Sequence, residues 1–313
     1  MTATTGGATP AERLSGEKAR ARLLAGLAVT ERRLDLAGIS TAVLEGGDGP
    51  PLVLLHDPSE HAAKWFPVLP ELVTTHSVVA PDLPGHGGSA APEGTLDVDR
   101  VLTWLRELIE QTCASRPALV GLILGGGIAA RFTVHHQDLA DRLVLVDALG
   151  LAPLSPTPEF GQALEGYLAA PTAQSHDHLW SYCAFDLGRV RDRMGEKWEP
   201  FTAANLDRLA TPAGQAAVHD LMAAFGMPVI PAEHLARIAV PTTLIWGRHD
   251  LATPLEIAEA ASARYGWPLH VINDCADDPV IEQPEAFLRA LHVALGRTIT
   301  RMAPGRPVAE GRS

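Results

Sequence analysis

Residues 119–132 read LVGLILGGGIAARF, a short apolar run, a turn bounded by glycines, and a helix of small residues. Gly121 and Gly125 bracket Leu122, Ile123 and Leu124. Glycine on both sides is needed where a strand and the helix after it approach too closely for a Cβ. Residue 123 is therefore expected at the tip of a sharp strand-to-helix turn. Other short apolar runs flank it: PLVLLHD (51–57) and SVVAPDLP (77–84) before, then RLVLVDA (142–148), TTLIWGRHD (242–250) and PLHVIND (268–274) after. Runs of this length and composition suit strands buried on both faces. ERRLDLAG (31–38) and STAVLEGG (40–47) read as a hairpin ahead of them. Helical patterns alternate with the strands: KWFPVLPELVTT (64–75), VDRVLTWLRELIEQ (98–111), GGIAARFTVHH (126–136), Pro254 to Tyr265 and EQPEAFLRALHVALG (282–296). Such alternation predicts an α/β domain with a doubly wound, mostly parallel, eight-stranded sheet.

The strands stop after Gly150 and resume near residue 236, and the intervening text is helical and rich in Tyr, Trp, Phe and Pro. The expected organisation is a tail and short helix over 1–30, a core over 31–150 and 236–297, a helical cap over 151–235, and a polar tail over 298–313. The short helix, within AERLSGEKARARLLAGL, is expected to be an appendage to the main fold.

The 313 residues, 46% of them apolar, suffice for a large core. A formal charge of −12 without a basic patch argues against a nucleic-acid partner. Cys113, Cys183 and Cys275 are too scattered for a disulfide framework or a zinc site. No run of about 18 apolar residues is present to span a bilayer, and MTATTGGATPAERL lacks the layout of a signal peptide. A cytoplasmic protein without membrane association is expected. The pattern sets no oligomeric state.

With these pieces in order, residues 30 to 297 resemble the capped α/β-hydrolase-fold superfamily, in the manner of epoxide hydrolases, haloperoxidases and C–C hydrolases. LLHD (54–57) resembles the strand ending in the family's oxyanion turn, and APDLPGHGGS (80–89) the loop after the next strand. LVGLILGGGIAARF is similar to the nucleophile elbow, LIWGRHD ends on the acid position, and CADDPVIEQPEAF is similar to the segment carrying the catalytic histidine.

The chemistry departs from that pattern. The elbow requires Ser, Asp or Cys at its centre, and Ile123 has no lone pair with which to attack. Aligning Pro279, Glu282 and Pro284 with the family's histidine segment puts Ala276 at its glycine and Asp277 at its histidine. Asp57 replaces the oxyanion-turn glycine, while His56 and the acid, Asp250, remain. The resemblance implies that Asp250 and Asp277 are hydrogen-bonding neighbours, so that one of two close carboxyls retains a proton and the pair serves as general acid and base. Asp57 is expected to assist from the same cavity.

Ile123 is expected to form an apolar pocket floor, with His56, Pro58 and Leu124 around the former oxyanion site and Tyr167, Trp180 and Tyr182 supplied by the cap. His86, His135 and His136 are read as structural, Cys275 as inert, and His249 as able to replace the imidazole only if its loop turned over. Asp57, Asp250 and Asp277 could offer oxygen ligands, but the resembled fold does not normally bind a metal, so neither metal nor cofactor is expected. The favoured function is acid/base catalysis without a covalent intermediate, of cyclase, isomerase, lyase or hydratase type, on a small, largely apolar molecule. The alternatives are an inactive pseudohydrolase that binds a ligand or protein partner, and a hydrolase with an atypical nucleophile such as Ser59.

Overall fold

The computed structural model describes residues 14–296, so the expected tail over 298–313 lies outside the described residues. Eight strands form one sheet: β1 (Thr30–Leu36), β2 (Ile39–Gly46), β3 (Pro51–Leu55), β4 (Ser77–Pro81), β5 (Ala118–Leu122), β6 (Arg142–Val146), β7 (Thr242–Gly247) and β8 (Leu269–Ile272). Their spatial order is β1-β2-β4-β3-β5-β6-β7-β8. β1 pairs antiparallel with β2, and β2 with β4, while every pair from β4 to β8 is parallel. All residues of β3, β5 and β7 are buried, as expected of strands covered on both faces by helices.

The winding direction changes between β3 and β5. β4 lies on one side of β3 and β5 on the other, so the carboxyl ends of β3 and β5 open a crevice where ligands enter sheets of this kind. Asp57 follows the first of these strands and Ile123 the second. The helix Val98–Thr112 shows how pattern became packing: Val101, Leu102, Trp104, Leu105, Leu108 and Ile109 bury one face, and the Asp97 side chain caps the start by accepting from Arg100 N at 2.9 Å.

Two local expectations are corrected. KWFPVLPELVTT is not one helix but a 3-10 turn, Ala62–Trp65, followed by a single α-turn, Leu69–Leu72. Pro67 and Pro70 have no N–H to continue the ladder and interrupt it. The helix Gly16–Leu24 is also no appendage. Ala19 and Leu23 are fully buried, and Gly16 N donates to Asp207 Oδ1 at 3.1 Å in the helix Trp198–Leu209. Its Arg20 donates to Asp82 Oδ1 at 3.0 Å and to Glu31 Oε2 at 2.7 Å. Asp82 also accepts from Ala62 N and Gly88 N, both at 2.6 Å, and thereby shapes the PGHGGS loop.

Between β6 and β7 the regular elements among the described residues are all helical, including Pro158–Ala169, Ala173–Cys183, Trp198–Leu209, Pro212–Leu221 and a π-helical turn Met222–Gly226. His176, Trp180, Trp198 and Phe201 pack ring against ring inside this cap, with centroids 5.3 to 6.0 Å apart. No helix of the described residues is long and apolar enough to cross a membrane.

Candidate active site

Ile123 stands at φ 48° and ψ −103°, in the positive-φ region that β-branched residues avoid. Hydrogen bonds fix it there: Ile123 N donates to Val146 O at 2.9 Å, and its carbonyl accepts from Gly127 N at 3.1 Å and Leu149 N at 3.0 Å. A Cβ on Gly121 would lie 2.3 Å from the Gly125 carbonyl oxygen, and one on Gly125 2.3 Å from that of Leu55. The elbow has kept its shape with an isoleucine at its tip.

A cavity of about 570 Å³ lies between sheet and cap, and Ile123 lines it. Much of its wall is apolar, from Leu149, Leu154, Phe160, Leu164, Leu179 and Met222. Of the residues singled out in the sequence, Asp57, Pro58, Tyr167, Trp180 and Asp277 line it. Ser59, Glu60, Cys183, Asn205, His176 and Asp278 do so as well.

The strongest electrostatic feature is a lysine. Lys64 is fully buried, and its Nζ lies 2.7 Å from Asp57 Oδ1, 2.9 Å from Glu60 Oε2 and 2.9 Å from Asp278 Oδ2. Oxygens of these three carboxyls lie within 4.8 Å of one another, as in a cation site, and the lysine is the cation between them. Burial disfavours its charge, but Asp278, Asp57 and Glu60 outweigh that and hold the ammonium well above its usual range. Burial pushes the Asp57 carboxyl up to about 6 against the opposing pull of Lys64. Burial and the Asp57 charge drive Glu60 well above the ordinary carboxylate range.

Asp277 carries the other polar patch of the wall. Burial, followed by the charges of Asp250, Asp278, Glu282 and Asp57, pushes its carboxyl well above the usual range. The Cys183 thiol feels its charge, and the Asp277 backbone N donates to Cys183 O at 3.3 Å. Burial and Asp277 together raise the thiol, which leaves Cys183 protonated and a poor nucleophile.

The expected Asp250–Asp277 hydrogen bond is corrected. Asp250 Oδ1 accepts from Ala252 N at 2.7 Å and Thr253 N at 2.8 Å, and Oδ2 accepts from the Thr253 hydroxyl. Its carboxyl neighbour is Asp147, at the end of β6, whose Oδ1 accepts from Gly247 N at 2.8 Å. Burial and the Asp250 charge push Asp147 well above the usual carboxylate range, so the two carboxyls together retain a proton near neutral pH. Asp250 does not line the cavity and reaches Asp277 only through its charge.

Other expected pocket residues stand elsewhere. His56 is fully buried, donates from Nδ1 to Asp57 O at 2.7 Å, accepts at Nε2 from Leu83 N at 2.9 Å, and so pins two loops together. Leu124 belongs to the core beneath the elbow, and Tyr182 packs among cap side chains beside His178. His249 stacks on the exposed Phe185 ring at 4.5 Å and offers no imidazole to the site. Cys275 is buried beside Glu282, which also accepts from Ala276 N and Phe185 N, each at 2.7 Å, and so ties the cap to the loop bearing Asp277.

Sequence reasoning missed Lys64, Glu60, Asp278, Asp147, Asn205 and His176. The only local signal was the i,i+4 spacing of Glu60 and Lys64.

A family model described as "Alpha/beta hydrolase family" matches residues 52–290. The 2-hydroxy-6-oxo-6-(2'-aminophenyl)hexa-2,4-dienoic acid hydrolase of Metapseudomonas resinovorans is 27% identical over 291 residues, covering 88% of this chain and 95% of that protein. The pimeloyl-[acyl-carrier protein] methyl ester esterase of Aeromonas hydrophila is 26% identical, covering 82% of this chain and all of its own length. Among solved structures, the 2-hydroxy-6-oxo-6-phenylhexa-2,4-dienoate hydrolase of Rhodococcus sp. strain RHA1 superposes with a TM-score of 0.75 at 24% identity, covering 86% of this chain and 99% of that one. That last likeness is one of fold.

Proposed function

The chain belongs to the alpha/beta hydrolase family, and from that footing we propose that it is a non-covalent acid/base enzyme acting on a small, largely apolar molecule, with Asp277 as general acid and Asp57 as general base. The observation carrying this reading is the pairing of unlike carboxyls on one cavity wall. Asp277 is pushed far toward its neutral form, while Asp57, near 6 and bonded to Lys64, is mainly ionised at neutral pH. Two carboxyls driven apart in this way can take on opposite proton-transfer roles. Asp250 is reassigned from acid/base partner to a charge behind Asp277.

An elimination illustrates the chemistry. Asp57 takes a proton from the carbon next to a carbonyl, the C–H electron pair forms the new double bond, and the β-hydroxyl departs as water with the Asp277 proton. The products are an enone, water, a protonated Asp57 and an ionised Asp277, and one proton passing back from the first to the second resets the pair. The apolar wall limits competing water. The named relatives act on a dienoic acid and a methyl ester, and Ile123 supports a different route here because it supplies no nucleophile.

The test uses neutral β-hydroxyketones, beginning with 4-hydroxy-4-phenylbutan-2-one, with the enone followed by absorbance and solvent-deuterium incorporation by NMR. Turnover above buffer, lost in both Asp277→Asn and Asp57→Asn, is expected, with exchange at the α-carbon lost in Asp57→Asn. Ligand-induced thermal stabilisation with no turnover or exchange across the panel would favour the binding-protein alternative.

A further inference from the structure

We propose that the cavity selects neutral ligands bearing a hydroxyl or carbonyl oxygen over carboxylates, and that Tyr167 and Asn205 form the subsite receiving that oxygen. This rests on the reading above and specifies its substrate class.

The charge argument comes from what lines the cavity. None of its lining residues is Lys or Arg. His176 is neutral at physiological pH because burial lowers it to about 4, and the His219 side chain is largely exposed to solvent. Lys64 has no exposed surface and is already bonded to Asp57, Glu60 and Asp278. An incoming carboxylate would meet the Asp57 and Asp278 carboxylates with no free cation among the lining residues to offset them, in a poorly hydrated space where repulsion is weakly screened.

The hydrogen-bond argument is independent of charge. Tyr167 and Asn205 are both 2% exposed, and Tyr167 Oη and Asn205 Oδ1 have no hydrogen-bond partner among the described residues. Asn205 Nδ2 donates to Glu60 Oε1 at 3.3 Å and lies 3.4 Å from His176 Nε2, while the Tyr167 ring packs edge-on against His176 at 5.7 Å. Both residues thus converge on the same end of the cavity. Leaving a buried hydroxyl and a buried amide oxygen unpaired costs free energy that a complementary ligand recovers. An alcohol matches both, accepting from Tyr167 Oη–H and donating to Asn205 Oδ1, and a carbonyl matches the tyrosine. An ionised carboxylate can only accept.

Calorimetry at pH 7.5 on the full chain, wild type and Asp277→Asn, tests this with 6-phenylhexan-1-ol, 6-phenylhexanoate and hexylbenzene. The alcohol is expected to bind at least 10-fold more tightly than the carboxylate. Tyr167→Phe should weaken the alcohol about 3- to 10-fold while leaving hexylbenzene unchanged. Equal or tighter binding of the carboxylate, or an unchanged alcohol affinity in Tyr167→Phe, would overturn the proposal. Because binding is read without turnover, these outcomes stand apart from the fate of the acid/base mechanism.

Discussion

Lys64 donates from Nζ to Asp278 Oδ2 at 2.9 Å across a separation of 214 residues. The bond joins the segment after β3 to the loop carrying Asp277, and the same ammonium reaches Asp57. One buried cation therefore holds Asp57 directly and Asp277 through its neighbour Asp278. Three carboxyls around one lysine exceed its charge, which is why burial can raise Asp57 and Glu60 even beside it.

Removing that cation should be costly. Lys64→Met leaves the trio buried without its counter-ion, and a loss of about 3–5 kcal/mol is expected from urea unfolding. Adding Asp278→Asn to Lys64→Met should restore part of it, because one unpaired charge is then gone. A Lys64→Met protein as stable as wild type would show that the cluster does not hold these segments together.

The elbow should respond in the opposite sense. A β-branched residue at positive φ carries strain of about 1–3 kcal/mol, whereas glycine adopts φ 48° freely. Ile123→Gly is expected to be neutral or stabilising by about 1 kcal/mol in urea unfolding, after its lost packing is counted. Marked destabilisation would mean that the isoleucine's contacts outweigh the strain.

Ile123→Ser should restore a hydroxyl without restoring hydrolysis. The nearest candidates from the sequence do not serve the elbow as a base: His56 bonds to backbone through both nitrogens, and His249 stacks on Phe185. Neither wild type nor Ile123→Ser should be labelled by a serine-directed fluorophosphonate, as read by intact-mass spectrometry. Stoichiometric labelling of wild type, with Ser59 in the modified peptide, would revive the atypical-nucleophile alternative.

Stability should fall as pH rises from 6.5 to 8.5. Asp57 and Asp250 near 6, Glu282 near 7, and Asp147, Asp277 and Glu60 well above their ordinary range hold protons in the folded state that the unfolded chain has released above about pH 4. Each therefore loses stabilisation as pH rises toward its folded value. His56, His61, His86 and His176 are lowered and act in the opposite sense, but only below about 6.5, where the unfolded imidazole is charged. The two sets oppose each other from about pH 4 to 6.5, and above that only the carboxyls remain. Urea midpoints should drop between pH 6.5 and 8.5, and Asp147→Asn, which mimics the protonated acid, should flatten the drop. A rising midpoint over that window would contradict these protonation states.

The sheet was legible because β3 and β5 to β7 are short apolar runs punctuated by turns, and the elbow because Gly121 and Gly125 have no steric alternative. Asp277 and Asp57 could be placed on the cavity through the resemblance, since strand ends fix their positions. Lys64 could not, because a lysine in a polar-looking turn gives no local sign that Asp278 will close over it. Asp147 was hidden for a related reason: it follows β6 as an ordinary strand-end acid, and only the parallel pairing of β6 with β7 brings it to Asp250. The Gly16–Leu24 helix looked peripheral because its partners, Asp82 and Asp207, lie far along the chain.

The acid role of Asp277 is tested most directly by turnover in Asp277→Asn. The amide keeps the side chain's size but cannot supply the proton, so kcat for an accepted β-hydroxyketone should fall about 100-fold or more while its Kd stays within about 3-fold of wild type. The same change at the exposed Asp274 should leave both unchanged. Undiminished turnover by Asp277→Asn would contradict the acid/base mechanism.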